Sequence, residues 1–486
     1  MNMKKLLFFL GVAALAMAGC CDKYDKGPTM VANSTDALVQ TAYGTVSGYI
    51  EDGIYTFKGI PYAKAERFMA PTEPDAWEGV RSCLYYGPQS PQAVRTGWQS
   101  DKQAFMFHWD DGTQSEDCQV LNVWTPGIND GKKRPVMVWL HGGGYTMGAG
   151  SELPFYDGAN LAKKDVVLVN LNHRLNVVGY LDLSAFGEKY KYSGVAGVMD
   201  MIMALKWVKQ NIAGFGGDPD NVMIFGQSGG GGKVNILLAA PSAKGLFNKA
   251  AVQSGSIMTV TEPEVSRLVG IETAKALGLN EKNIDEIQKV PYADLLEASN
   301  KAAAALRGTG RQTGMMGVSP VRDGEILPYQ LGDPEVAQIS GDIPVIVGHN
   351  YSEGTSRAGA CAELDVRYNW GGAPEYLYIF AKDSPLLDGA MHSMHNMEIS
   401  FVFNNIYLGR HMTGTEPAAY RLADLMSDVW VSFAKDGVPD LKKLKWEPYN
   451  PDTKPTMIFD VKTRVVYDDD PVIKQMAEQQ PFRWNF

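Results

Sequence analysis

An α/β fold, with a mostly parallel central sheet and helices on both faces, is predicted by three observations. First, several runs are apolar without alternation, as expected for strands buried on both faces of a sheet. They are Arg134 to Leu140, Asp165 to Asn170, the stretch from Asn221 to Phe225, and Asp342 to Gly348. Second, Gly197 to Gly214, which lies between two of these runs, places Val198, Met201, Ile202, Leu205, Trp207, Val208 and Ile212 close to helical period. Third, strand and helix alternate along the chain, which is the order that builds a doubly wound sheet.

In chain order, Gly44 to Gly48 and Ile54 to Ala63 read as short strands with turns, a small β-ribbon at the start of the domain. Asp117 to Trp124 is another strand, ended by Thr125-Pro126-Gly127. The Arg134 strand runs into His141-Gly142-Gly143-Gly144-Tyr145, and the Asp165 strand follows it. After the helix over 197–214, Gly216-Gly217-Asp218-Pro219 turns the chain into the Asn221 strand, and Lys249 to Ser256 adds a further short one. Glu262 to Arg307 is mainly helical, so 262–345 reads as a helical excursion forming a cap before the Asp342 strand returns to the sheet. Leu422 to Ala434 is a helix with Leu425, Val429, Trp430 and Phe433 on one side.

The chain has 486 residues, 45% hydrophobic and 21% charged, ample for a large core. Its formal charge is −10 and it has no basic run, which excludes nucleic acid as a partner. Lys4 and Lys5 precede an apolar run from Leu6 to Ala18 that is too short to span a bilayer and has the form of a secretory leader. The run ends in Met17-Ala18-Gly19-Cys20, which resembles a bacterial lipobox. It predicts a signal peptide over 1–19, lipidation of the Cys20 thiol, a tether over 20–36 and one domain over 37–486. The expected location is the bacterial cell envelope, periplasmic or surface-facing, on a lipid anchor. Three further cysteines, Cys83, Cys118 and Cys361, show no spacing of a metal site, and no metal or organic cofactor is expected.

The Asn221 strand stops at Gly226-Gln227-Ser228-Gly229-Gly230, followed by Gly231 and Gly232. A strand, a sharp turn through a serine and a helix start together form a nucleophile elbow, which lifts the hydroxyl above the sheet. Glycines at 226 and 230 fit because a Cβ there would clash across the turn. The helix start directs free N–H groups toward any oxyanion formed at Ser228. A serine needs a base, usually histidine, and an acid to orient it. With an elbow of this kind the chain order is nucleophile, acid, histidine. Of the seven histidines, at 108, 141, 173, 349, 392, 395 and 411, that order leaves 392, 395 and 411. The acid belongs just past a sheet strand, where Glu353 lies in Gly348-His349-Asn350-Tyr351-Ser352-Glu353-Gly354. The glycine turn at His141 to Gly144 offers Gly143 and Gly144 N–H groups, with that of Gly229, as an oxyanion hole.

These segments together resemble the type B carboxylesterase family, the carboxylesterase/cholinesterase branch of the α/β-hydrolase fold. The resemblance runs through Phe57 to Ala63, Ser115 to Cys118, Leu121 to Trp124, Trp139 to Tyr145, Ala204 to Val208, Phe215 to Pro219, Gln253 to Gly255, Gly348 to Gly354 and Trp430 to Ala434. It implies hydrolysis of carboxylic esters, on small molecules or glycans, through an acyl-serine, with a glutamate as the acid. It also places the base at His395, in His395-Asn396-Met397-Glu398-Ile399-Ser400-Phe401-Val402-Phe403, while His392 imitates the other half of the motif. Two other activities share these residues: a catalytically silent binding or adhesion protein, and an amide or thioester hydrolase.

Three positions depart from the family pattern. Gln227 stands where a glutamate is usual, which makes an imidazolium at His395 less favoured. Lys233 replaces a small residue in the helix after the elbow. Ser90 replaces the usual cysteine ahead of Pro91-Gln92, leaving Cys83 as a candidate disulfide partner for Cys118.

Overall fold

The computed structural model describes residues 29–93, 101–311, 318–354, 356–441 and 444–478. The leader and Cys20 lie outside them. The first strands are β1 (Met30–Val31), β2 (Leu38–Thr41), β3 (Gly44–Ser47), β4 (Tyr49–Glu51), β5 (Ile54–Pro61) and β6 (Val80–Ser82). Next come β7 (Val120–Thr125), β8 (Arg134–Leu140), β9 (Val167–Leu171), β10 (Gly217–Gln227) and β11 (Lys249–Gln253). The last four are β12 (Val345–Asn350), β13 (Glu375–Phe380), β14 (Thr456–Phe459) and β15 (Arg464–Val466). Twelve of these form one sheet in the order β1-β4-β5-β7-β9-β8-β10-β11-β12-β13-β14-β15, and β2-β3-β6 form a small second sheet. The block from β9 to β14 is parallel throughout, with antiparallel strands on either side of it. β1 begins inside the stretch expected to be tether, because its backbone pairs with β4.

Buried residues alternate between the two faces of the parallel strands, as the two-residue period of a strand requires. Val136, Val138, Leu140, Ile224 and Val252 pack beneath helix α1 (Ala196–Asn211) and helix α2 (Gly229–Ala239). Met137, Trp139, Phe225 and Tyr378 face the other way. There they meet Met426, Val429, Trp430 and Phe433 of helix α7 (Pro417–Asp436). The expected helix over 422–434 thus extends a turn further back, to a proline at its first position, where the missing N–H costs nothing. The excursion carries α3 (Pro263–Ala276) and α4 (Tyr292–Gly308), whose apolar faces close over Val177, Val178, Leu181 and Leu183. Two further helices follow site residues directly, α5 (Ser356–Trp370) after Glu353 and the short α6 (Met397–Val402) after His395.

After β8 the chain goes to β9 on one side and then returns to β10 on the other. Such a reversal opens a crevice at the carboxyl ends of the strands involved. His141 to Gly144 leave β8 there and Ser228 leaves β10.

Cys83, Cys118 and Cys361 are all reduced and buried, so the Cys83–Cys118 bridge does not form. Cys118 instead neighbours the Ser90 hydroxyl, which hydrogen-bonds it. Burial pushes the Cys83 thiol up to about 12.

Candidate active site

Ser228 sits between β10 and α2 with φ 59° and ψ −124°, a backbone conformation that a side-chain-bearing residue adopts only under tertiary constraint. Its N–H donates to the Gln253 carbonyl on β11 at 2.8 Å, and its own carbonyl accepts from Gly232 at 3.1 Å, the first turn of α2. A Cβ at Gly226 would come within 2.6 Å of the Gly230 backbone, so the turn closes only with glycine at that position.

The glycine loop lies directly against this turn. Gly143 and Gly144 have φ of 83° and 63°. A Cβ built on Gly229 would lie 2.3 Å from the Gly144 nitrogen, so the start of α2 and the loop are in backbone contact. Gly229 is the first residue of α2, and its N–H belongs to the group that a helix leaves unpaired at its start. The loop is held from outside by residues not singled out in the sequence. Gln92 receives the Gly148 N–H at 2.7 Å and donates to the Gly148 carbonyl at 3.0 Å. Asn176 donates from its backbone to the Tyr145 carbonyl at 2.7 Å and from its side chain to that of Thr146 at 3.2 Å. Nothing in residue type distinguishes either one from a loop amide; only the fold places them on the loop.

Glu353 ends a short 3₁₀ turn, Tyr351–Glu353, directly after β12. Asn350 fixes the Glu353 carboxylate twice: its N–H donates to Oε2 at 3.1 Å and its Nδ2 to Oε1 at 3.0 Å. The same Oε1 lies 2.6 Å from His395 Nδ1. His395 comes from the loop before α6 and is 30% exposed on its side chain, against 8% for Glu353. His392, the alternative, is 59% exposed and faces Asp383 at 3.5 Å, away from Glu353. The structure therefore pairs Glu353 with His395, sets His395 against Gln227, the neighbour of Ser228, packs Gly144 against Gly229 in the loop that holds Gly143, and leaves His392 outside.

Burial alone would push the Glu353 carboxyl up. The charge of His395 and hydrogen bonds from His395 and Asn350 outweigh it and hold the carboxyl below its usual range. Burial likewise disfavours a charged His395, but the Glu353 carboxylate raises it above the ordinary histidine value. A second carboxyl, Glu398 on α6, is fully buried and shares the Asn350 amide with Glu353. Burial and the neighbouring Glu353 charge push it up to about 7.

The Gln227 amide nitrogen lies 3.2 Å from Nδ1 and 3.3 Å from Nε2 of His395. Equal distances to both ring nitrogens put the amide over the ring face, since an in-plane approach would run into Cε1. A neutral group thus covers the imidazole where a carboxylate would stabilise its charged form. As a base, His395 would have to be neutral to accept a proton, so activity is expected to fall as pH drops through its pKa. Gln227→Glu is expected to move that acid limb of the kcat/KM profile upward by about one pH unit, the effect of an opposite charge in contact. Superimposable profiles for the two enzymes would refute this.

The chain matches the model of the carboxylesterase family over residues 35–369 and 358–481. It is 34% identical over 494 residues to the para-nitrobenzyl esterase of Bacillus subtilis (strain 168), covering 90% of this chain and 97% of that protein. It is 28% identical over 490 residues to the phenmedipham hydrolase of Pseudarthrobacter oxydans, covering 87% and 95%. Among solved structures, an esterase from anaerobic Clostridium hathewayi that can hydrolyze aliphatic aromatic polyesters aligns with a TM-score of 0.84. The identity to it is 31%, over 93% of this chain and 100% of that chain.

Proposed function

Given that this chain belongs to the carboxylesterase family, with the α/β-hydrolase fold and serine ester hydrolase activity, we propose that Ser228 is its nucleophile, His395 its base and Glu353 the acid that orients the base. The observation that carries this assignment is the 2.6 Å Glu353–His395 pair lying against Gln227, the residue before the strained serine. In this reading His395 takes the Ser228 proton as the hydroxyl oxygen attacks the ester carbonyl. The N–H groups of Gly143, Gly144 and Gly229 hold the resulting oxyanion. His395 then protonates the departing alcohol, and water releases the acid by the same steps in reverse roles. A pre-steady-state burst of p-nitrophenol from p-nitrophenyl esters, equal to the enzyme concentration, tests the acyl-serine. The burst is expected in the wild type and absent in Ser228→Ala; a Ser228→Ala enzyme of unchanged rate would end the assignment.

The surroundings favour an ester with an extended apolar or aryl portion. An open cleft of about 540 Å³ has Ala93, Tyr292, Leu296 and Ala304 in its lining, together with the polar Gln92, Glu297, Asn300 and Lys301. It shares Ala93, Tyr292 and Leu296 with a smaller pocket of about 150 Å³ that reaches Thr146 and Met147 of the glycine loop. The relatives named for para-nitrobenzyl and aliphatic aromatic polyester substrates agree with such a preference. Acyl groups on glycans at the cell envelope are a second source of such substrates, suggested by the export signal.

We also propose export and lipid anchoring at Cys20, supported by the leader and the Met17 to Cys20 motif. Metabolic labelling with a palmitate analogue should tag the wild type but not Cys20→Ala; label retained on Cys20→Ala contradicts the anchor.

A further inference from the structure

We propose that Lys233 is a positioning residue for the oxyanion hole, a buried cation that fixes the glycine loop from beneath and polarises the peptide group that carries the Gly143 N–H donor. This rests on the assignment of Gly143, Gly144 and Gly229 as those donors. Lys233 lies in the second turn of α2, five residues after Ser228, and is wholly buried. Its Nζ donates to the His141 carbonyl at 2.8 Å and faces the Gly142 carbonyl at 3.5 Å. Each of these carbonyls belongs to a peptide group of the loop, and the one at Gly142 shares its amide with the Gly143 N–H. His141 Nδ1 also sits 2.9 Å from the Gly142 oxygen and 3.5 Å from Lys233 Nζ, so the lysine, the ring and that peptide form one cluster.

Drawing charge toward a carbonyl oxygen makes the N–H of the same amide a stronger donor, and hydrogen bonds linked in this way strengthen one another in a low-dielectric interior. A cation here adds a second effect. Its field acts across buried protein rather than water, and it favours negative charge developing just above the loop. His173 stacks on His141 at 5.1 Å, and burial together with the Lys233 charge holds it well below the ordinary histidine value, so it stays neutral. Both elements that carry the donors, the β8 loop and the start of α2, are thereby tied through one side chain.

The test compares wild type with Lys233→Met, which keeps the length of the side chain but removes charge and donor. Active sites are first counted by the endpoint of fluorophosphonate labelling, so that kcat is expressed per competent site. The expected result is a kcat per site lower by about 10-fold or more with KM within about twofold, since only the transition state carries the oxyanion. The affinity of an aryl trifluoromethyl ketone, whose adduct with the serine bears that oxyanion, should fall by the same factor. A kcat per site within about twofold of wild type overturns the proposal, as does a change in KM alone. If Lys233→Met yields no labelled sites, Lys233→Gln is held to the same criteria, and loss of sites in both variants overturns it in favour of a purely structural lysine. Absence of Ser228 labelling in the wild type refutes the site assignment instead, which keeps the two failures distinguishable.

Discussion

His395→Ala is expected to lower kcat by about 10⁵–10⁶-fold, the loss seen when the base of a serine triad is removed. His392→Ala, three residues away, should leave kcat within about twofold, as expected for an exposed side chain outside the site. The contrast follows from position. His395 Nδ1 is 2.6 Å from a buried carboxylate already fixed by two hydrogen bonds from Asn350. His392 is more than half exposed, and its ring faces Asp383 at 3.5 Å. Steady-state kinetics on both purified variants, with circular dichroism to confirm folding, check the prediction. A large loss in His392→Ala with a small one in His395→Ala would reverse the assignment.

The second large effect is expected at Gly143. Its φ of 83° lies where side-chain-bearing residues are strained, and a Cβ there would come within 2.2 Å of the Met147 carbonyl oxygen. That contact lies inside the turn closed by the Met147 N–H donating to the Gly143 carbonyl at 3.2 Å. An alanine can be accommodated only by moving the loop, which takes the Gly143 N–H off the oxyanion. Gly143→Ala is therefore expected to reduce kcat by about 10²–10³-fold with a smaller change in KM, the scale of losing one oxyanion donor. Gly308→Ala, at the end of α4 with open space around it, is the control and should be indistinguishable from wild type. A Gly143→Ala enzyme of normal kcat would remove Gly143 from the hole.

Much of this architecture was legible because parallel strands buried on both faces announce themselves as uninterrupted apolar runs, as β8 and β10 do. The elbow was legible because its glycines are dictated by close backbone approach rather than by preference. β13 was not read as a strand, although Glu375 to Phe380 is buried throughout; no catalytic motif draws attention to it. The pairing of β1 with β4 was hidden too, since two residues carry no periodicity.

At the site, the types of residue pointed to Ser228, Glu353 and the glycine loop, but not to their spatial relation. The resemblance picked His395 over His392 although the motif occurs in overlapping halves, and the coordinates add what each ring faces, Glu353 for His395 and Asp383 for His392. Asn350 was visible only as part of a motif, yet it holds Glu353 and Glu398 together. Gln227 and Lys233 were recognisable as departures. Their meaning came from coordinates that put one over the imidazole face and the other beneath the oxyanion loop. The same limit applies to Cys118, whose neighbour proved to be Ser90 rather than Cys83.

The most direct test of the central claim is to treat the full chain with a fluorophosphonate and map the adduct by peptide mass spectrometry while following hydrolysis of a p-nitrophenyl ester. The account predicts a single adduct on the peptide containing Ser228, loss of activity in proportion to labelling, and neither label nor activity in Ser228→Ala. Full esterase activity in an enzyme whose Ser228 is unmodified after complete reaction, or inactivation by an adduct elsewhere, would contradict it.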